Sequence, residues 1–269
     1  MDLPEPKSLE LELTGGWLTV WFNNPEARNP LTDARASEIT ALCTALARRS
    51  DVRGVTFRGR GGHFCAGGDL KSFHKQFQSA LQGGSRDDVK ALSKGAADMF
   101  DAVNNLPQVT IMAIEGAAVA GGFGLACCGD VVIVDEGAQF AFTEARIGLS
   151  PAQIAPFVVN RLGRRVARML LLTGASFKGI DAEAYGIADF VTSGDEEMAA
   201  HIASVKKSVL ACAPGAVADT KRLILALPGL DRPGQVDLAA EVFADRMLSD
   251  EGLEGVSSFI EKRKPKWAI

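Results

Sequence analysis

Apolar and polar positions predict a β-hairpin at the start of the chain: residues 9–13 and 17–22 read as two strands around Thr14-Gly15-Gly16. The stretch Asn23-Asn24-Pro25-Glu26-Ala27-Arg28-Asn29-Pro30 reads as a loop by its composition. Thr32 suits an N-cap, and Ile39, Leu42, Cys43 and Leu46 fall at helical spacing, which predicts a helix over 33–49. A strand over 52–57 leads into the glycine-rich RGRGGHFCAGG at 58–68, and a short helix is expected over 69–77. Residues 79–88 are polar and read as a mobile connection, and a helix over 89–106 ends at Pro107.

The most apolar part of the chain follows. A strand pattern over 109–114 runs into Gly121, Gly122 and Gly124, then into small apolar residues at 125–128, Asp130, and a second strand pattern over 131–134. Glu144 stands alone among Phe140, Phe142, Ile147 and Leu149. Beyond it the pattern predicts helices over 155–162 and 164–173, the latter stopped by Gly174, a short helix over 181–185 and a strand over 188–191. From residue 195 to the end the pattern is helical throughout, with Leu223, Ile224 and Leu227, then Leu238, Val242, Phe243 and Met247, then Leu253, Val256 and Phe259 at spacings of three and four. Strand–loop–helix units starting at Val52, Val109 and Val131 argue for an α/β fold, a mixed sheet covered by helices, without a sequence repeat of fixed period. We divide the chain into a core, 1–194, and a helical C-terminal region, 195–269, which lacks a full core of its own and calls for the main body or another subunit against its apolar face.

Composition narrows the class. With 47% hydrophobic and 23% charged residues and a formal net charge of −4, the chain reads as globular and gives no electrostatic case for nucleic acid. The basic run Glu261-Lys-Arg-Lys-Pro-Lys266 reads as a solvated tail. Five cysteines (Cys43, Cys65, Cys127, Cys128 and Cys212) form no C-x-x-C spacing, so neither a disulfide framework nor a zinc site is indicated, and a reduced, cytoplasmic setting is expected. The acidic, proline-broken N-terminus does not read as a signal peptide, and the longest apolar run contains Glu115 and several glycines, so it reads as buried core rather than a membrane span. His63, His74 and His201 lack triad partners at suitable spacing, and residues 59–68 lack the G-K-[ST] of a phosphate-binding loop. What the pattern does offer is a strand, a glycine turn and a buried helix, which aims backbone N–H groups at a developing negative charge, with a carboxylate some twenty residues on to move protons.

Two loops together carry a family resemblance. One is Gly61-Gly62-His63-Phe64-Cys65-Ala66-Gly67-Gly68-Asp69-Leu70-Lys71; the other is Glu115-Gly116-Ala117-Ala118-Val119-Ala120-Gly121-Gly122-Phe123-Gly124-Leu125-Ala126, closed by Cys127-Cys128-Gly129-Asp130. The pair resembles the crotonase (enoyl-CoA hydratase/isomerase) superfamily, and the match extends from Asn24-Pro25 through Glu144 to Phe259-x-x-Lys262-Arg263-x-Pro265. The resemblance implies a spiral of repeated ββα units, a helical C-terminal trimerisation region giving a homotrimer or a dimer of trimers, and an acyl-CoA thioester as substrate, with no separate cofactor or metal. By matching position it assigns the two oxyanion N–H groups to Gly68 and Gly121 and the acid–base role to Glu144. It places Ala27, Arg28 and Pro30 beside the pantetheine and phosphates, and Ala66, Asp69, Leu70 and Lys71 on the adenine side. Lys262 and Lys264 become candidate phosphate partners, with solvated side chains as the equal alternative. Asp69 reads better as a helix cap than as a reactant, and Glu115 and Asp130 as carboxylates that satisfy backbone groups.

The resemblance also exposes a departure. Hydratases of the family carry two glutamates, and the position of the first, three residues after Gly121, is Gly124 here. One glutamate suffices for hydration or for double-bond isomerisation, so an enoyl-CoA hydratase is the first reading, an enoyl-CoA isomerase the second, and a non-catalytic CoA- or RNA-binding relative the third. Glu144-Ala145-Arg146-Ile147-Gly148 resembles the methylglutaconyl-CoA hydratases, and Leu149-Ser150-Pro151-Ala152-Gln153-Ile154-Ala155-Pro156-Phe157-Val158 the isohexenylglutaconyl-CoA hydratases. Arg146 would then partner an additional substrate carboxylate or make a structural ion pair, and Gly124 would leave room for a branched acyl group.

Overall fold

A computed structural model describes residues 3–69, 74, 78, 83 and 85–268. Most of the expected helix over 69–77, with Leu70 and Lys71, lies outside the described residues. The hairpin forms as read: β1 (Leu9–Thr14) pairs antiparallel with β2 (Trp17–Phe22). From β2 the sheet continues in parallel through β3 (Gly54–Gly59), β4 (Val109–Ile114), β6 (Val131–Asp135) and β9 (Phe190–Thr192), giving the order β1-β2-β3-β4-β6-β9. A second sheet of three short strands, β5 (Ala117–Val119), β7 (Gln139–Ala141) and β8 (Ser176–Lys178), branches from the main sheet beyond β4 and β6. Strands of three residues are too short to show a period in sequence, which is why pattern alone missed them.

The helices are α1 (Asp33–Leu46), α2 (Arg86–Asn104), α3 (Gly121–Cys127), α4 (Ala155–Thr173), α5 (Ala182–Tyr185) and α6 (Asp195–Leu210), then α7 (Pro214–Ala226), α8 (Arg232–Met247) and α9 (Asp250–Ile260). Thr32 caps α1 by accepting from Arg35 N–H. That helix stops at Leu46 rather than Arg49, because Gln108 Nε2 donates to the Leu46 and Arg49 carbonyls and satisfies the end of the helix from outside. The polar connection before α2 ends sooner than read, since Ser85 and Asp88 form a reciprocal capping box that starts the helix at Arg86. The pair of helices expected after residue 154 forms as read: Gly163, with non-helical φ 71° and ψ 159°, separates the two segments that are counted together as α4.

Central strands that are apolar on both faces need cover on both. One face packs on α1, α2 and α4 through residues such as Leu18, Val20, Leu42, Phe57, Met99 and Met112. The other packs on α6, where Met198, with Ile202, Val205 and Val209 beside it, meets Trp17, Ile111, Ala113 and Ile133. The last three helices differ. Phe243, Leu248 and Phe259 are 66%, 89% and 86% exposed, and Val242 and Ser258 are the buried side chains there. Polar contacts tie these helices down: Lys221 Nζ donates to Asp130 Oδ2 at 2.7 Å, and the buried Arg53 donates to the carbonyls of Cys212 and Trp267. Among the described residues no helix is long and apolar enough to cross a membrane.

Candidate active site

The first glycine turn is held by side chains from elsewhere. Asn29, fully buried with φ 55°, accepts from Asn24 N–H at 2.7 Å through Oδ1 and donates through Nδ2 to the carbonyls of Arg60 (2.9 Å) and His63 (2.7 Å). Backbone bonds then stitch the Ala27–Pro30 loop to this turn: Ala66 N–H donates to Arg28 O at 2.9 Å and Leu31 N–H to Gly67 O at 2.8 Å. Arg35, buried in α1, fixes the same loop by donating to Pro30 O at 2.7 Å. Arg28 and Pro30 of this loop therefore lie against the first turn beside Ala66. The half-buried Asp69 borders it, and Leu31 makes an isolated parallel bridge with Gly68.

The second turn grows out of β5, and the first turn is registered directly on that strand. Cys65 N–H donates to Ala117 O (2.8 Å) and Val119 N–H to Cys65 O (3.0 Å), so Cys65 acts as one extra residue of strand. His63 adds a side-chain link, its Nδ1 accepting from Ala117 N–H at 3.1 Å. The turns then touch. Gly67 (φ 91°) lies so close that a Cβ there would come within 2.9 Å of Val119 O, and a Cβ at Gly122 would come within 2.5 Å of Cys65 O. Ala120 turns the chain from β5 into α3 at φ 49°, ψ −117°, a strained conformation for a residue with a side chain, and is held by donating to Ala141 O at 2.9 Å.

This geometry leaves two N–H groups in place. The Leu31–Gly68 bridge runs through the Gly67 carbonyl and does not engage the Gly68 N–H. The Gly121 N–H is the first of α3, one of the donors that a helix leaves without an intrahelical partner, and the earliest α3 bonds run from Phe123 and Gly124 to Ala120 O. Leu31 spans both, since a Cβ at Gly121 would meet its Cδ2 at 3.3 Å.

The carboxyl is positioned by an aromatic cluster. Phe123, two residues after Gly121, packs edge-on against Phe142, two residues before Glu144, at 4.5 Å between ring centroids, and against Phe140 at 5.4 Å. Glu144 opens a short 3-10 turn closed by Gly148. Its Oε2 is buried without a hydrogen-bond partner among the described residues. Burial pushes its pKa above the ordinary carboxylate value, against an opposing pull from the backbone N–H groups of Glu144 and Thr143.

The remaining candidates sort themselves by contact. Glu115 is taken up by Arg58 (2.6 Å), and Asp130 accepts from Thr110 N–H and Lys221, so both do structural work. Arg146 is exposed and lies over Gly174, and its guanidinium has no ion-pair partner among the described residues. Lys262 sits at φ 53° just past α9, exposed, and among the described residues no bond joins it to either turn. Among the described residues no three His, Cys, Asp or Glu side chains gather as a metal site. The reading of Gly124 as free space needs correction. A Cβ there would overlap Ile154 Cγ2 and come within 2.6 Å of Ile154 Cβ, so the volume is filled by a side chain that arrives from thirty residues along the chain. The sequence reading missed Asn29 and Ile154. An asparagine between two prolines in a turn was a usable signal for Asn29, and nothing local marked Ile154.

Two glycine turns laid edge to edge, the second opening a buried helix, on a sheet with a small branch sheet, are the arrangement of the crotonase fold, and this chain has that fold. The model of the enoyl-CoA hydratase/isomerase family matches residues 12–268, so the chain belongs to that family. Solved relatives agree: Pseudomonas aeruginosa AtuE is 36% identical with a TM-score of 0.92, covering 98% of this chain and 100% of its own. An enoyl-CoA hydratase/isomerase from Marinobacter aquaeolei is 37% identical with a TM-score of 0.91, covering 97% and 99%. Among curated relatives, the mevalonyl-coenzyme A hydratase sidH of Aspergillus fumigatus is 28% identical over 93% of this chain and 90% of its own length.

Proposed function

We propose that the protein is an enoyl-CoA hydratase that adds water across the α,β double bond of an acyl-CoA thioester. The Gly68 and Gly121 N–H groups hold the thioester oxygen, and Glu144 carries out both transfers of the one proton that moves, the other staying on the new hydroxyl. Its carboxylate takes a proton from water as the water oxygen bonds to Cβ. The π electrons move toward the thioester oxygen, where enolate charge develops between the two N–H groups. The protonated carboxyl then returns that proton to Cα on the same face as the C–O bond is completed. Donors fixed before the reaction stabilise the enolate more than the neutral ground state. The observation that carries this reading is the buried, unpartnered Glu144 Oε2: a carboxyl raised by desolvation is suited to give back the proton it has taken.

Isomerisation is the second reading, favoured by the lack of a second carboxylate at Gly124, since one acid can carry a proton between Cα and Cγ. Turnover of 2-enoyl-CoAs in heavy-oxygen water separates the two: label in a 3-hydroxyacyl product supports hydration, and unlabelled shifted alkene supports isomerisation. Glu144→Ala that binds CoA but no longer turns over substrate disposes of a purely binding role. The guanidinium of Arg146, without an ion-pair partner among the described residues, supports a substrate with a second carboxylate, a branched glutaconyl-type thioester such as isohexenylglutaconyl-CoA. Lys262 would contact a phosphate of the CoA moiety. The exposed apolar side chains of α8 and α9 support a homotrimer or a dimer of trimers, with residues 195–269 as the assembling region and the cytoplasm as the setting. Sedimentation at a monomer mass would overturn the assembly.

A further inference from the structure

Ile154 belongs to the segment that begins with the acid. Residues 144–154 run from Glu144 to the start of α4, pinned by Leu149 N–H on Glu144 O (2.9 Å), Ala155 N–H on Pro151 O (3.0 Å) and Gln153 Nε2 on Ser93 Oγ of α2 (2.6 Å). The segment ends with Ile154, 4% exposed, pressed onto α3 at Gly124, where Phe100 also approaches to 3.4 Å of a Cβ position and Phe157 backs it at 5.7 Å between rings. In a helix, positions three apart share a face and lie about 4.5 Å apart along the axis. Gly124 is therefore one turn along the same face from Gly121. A group filling the Cβ space of Gly124 stands beside the carbons next to a thioester whose oxygen sits on the Gly121 N–H.

We propose that Ile154 is a specificity-determining residue: its branched side chain, seated in the space at Gly124, forms the apolar wall against the α- and β-carbons of the acyl group and sets how large a β-substituent the site accepts. The inference rests on the hydratase reading for the position of the thioester and deepens it by assigning acyl selection to this side chain. The glycine at 124 and the isoleucine at 154 become one feature, since the Ile154 side chain fits there only because residue 124 has none. The wall is uncharged, so the substituent it meets is a hydrocarbon group, and any further carboxylate of the substrate must lie elsewhere.

The test compares crotonyl-CoA with 3-methylcrotonyl-CoA and with a longer β-branched 2-enoyl-CoA in wild type and in Ile154→Ala. A pocket change of one or two methylenes alters discrimination by about tenfold or more. The expected result is a rise on that order in the branched-to-crotonyl ratio of kcat/KM, with smaller rises for Ile154→Val. A merely structural role would lower all substrates in proportion and leave the ratio unchanged, which overturns the proposal. Should Ile154→Ala fail to fold, Ile154→Val and Ile154→Leu carry the same comparison. A parallel arm measures the affinity of the unreactive butyryl-CoA and 3-methylbutyryl-CoA by calorimetry. Wild type that binds both without hydrating any enoyl-CoA overturns the hydratase reading, while the affinity ratio across the Ile154 variants still decides the wall: a shift toward the branched ligand supports it, and an unchanged ratio sinks it.

Discussion

The two sides of the site are built on opposite principles. On the turn side, buried polar groups are paired: Asn29 uses both ends of its amide, His63 Nδ1 takes the Ala117 N–H, and Cys65 completes a strand bridge. On the acid side, Glu144 Oε2 is buried with nothing to bond among the described residues, and Ile154 fills the neighbouring volume with hydrocarbon. Satisfied groups fix geometry, whereas an unsatisfied carboxyl is a cost that folding alone would not retain. On the proposed reading, the stable side is the one that holds two donors still, and the costly side is the one that changes its proton count.

The largest expected effect comes from making the acid side resemble the turn side. Glu144→Gln removes the proton carrier and should lower kcat by roughly 10²–10⁴-fold. It should also stabilise the fold at neutral pH. Burial raises the folded carboxyl above its unfolded value, so the native chain binds more protons between the two values and stability falls as pH rises through that window. The Tm of Glu144→Gln should therefore exceed that of wild type at pH 7, with the gap closing as pH falls below the ordinary glutamate range. A lower Tm at pH 7 would mean that the acid is not strained in place.

The next effect in size overfills the acid side. Gly124→Ala drives a Cβ into Ile154 and should cost about 1–3 kcal/mol in denaturant unfolding. Combined with Ile154→Val, the two changes should cost less than the sum of their separate losses, and additive losses would show that the two positions do not share one volume. Impairing the turn side instead, His63→Leu leaves the Ala117 N–H without its acceptor, a loss of about 1–3 kcal/mol. Asn at 63 offers an oxygen in similar reach, so His63→Asn should recover part of that stability, with kcat more affected than KM in His63→Leu. The smallest effect is Ala120→Gly. Relief of a positive φ works against the greater chain entropy of glycine, for a net change within about 1 kcal/mol, and a large loss would show that Ala120 holds the turn by its side chain rather than by its backbone.

Both sides were partly legible in the chain. The paired glycine turns were visible because each follows an apolar strand run, and Glu144 was visible because its flanks Phe140 and Phe142 are apolar, as their burial bears out. Asn29 could be read as a turn residue but not as the clamp on a loop 34 residues away. The branch strands β5, β7 and β8 escaped because three residues carry no period, although β5 is where the two turns are registered. The space at Gly124 was misjudged for a related reason: a missing side chain looks like a void until its neighbour is known.

By itself the sequence determined the succession of the main-sheet strands and of the helices, the two turns able to present N–H groups, and the one carboxyl in apolar company, because these follow from local periodicity and from the special backbone of glycine. Only the tertiary structure decided that Cys65 joins β5, that Phe123 packs on Phe142, two residues before Glu144, and that Ile154 rather than an acid or a void fills the flank of α3. Those outcomes depend on which surfaces meet after the chain closes loops of about twenty to fifty residues, and packing between distant segments leaves no period in the sequence.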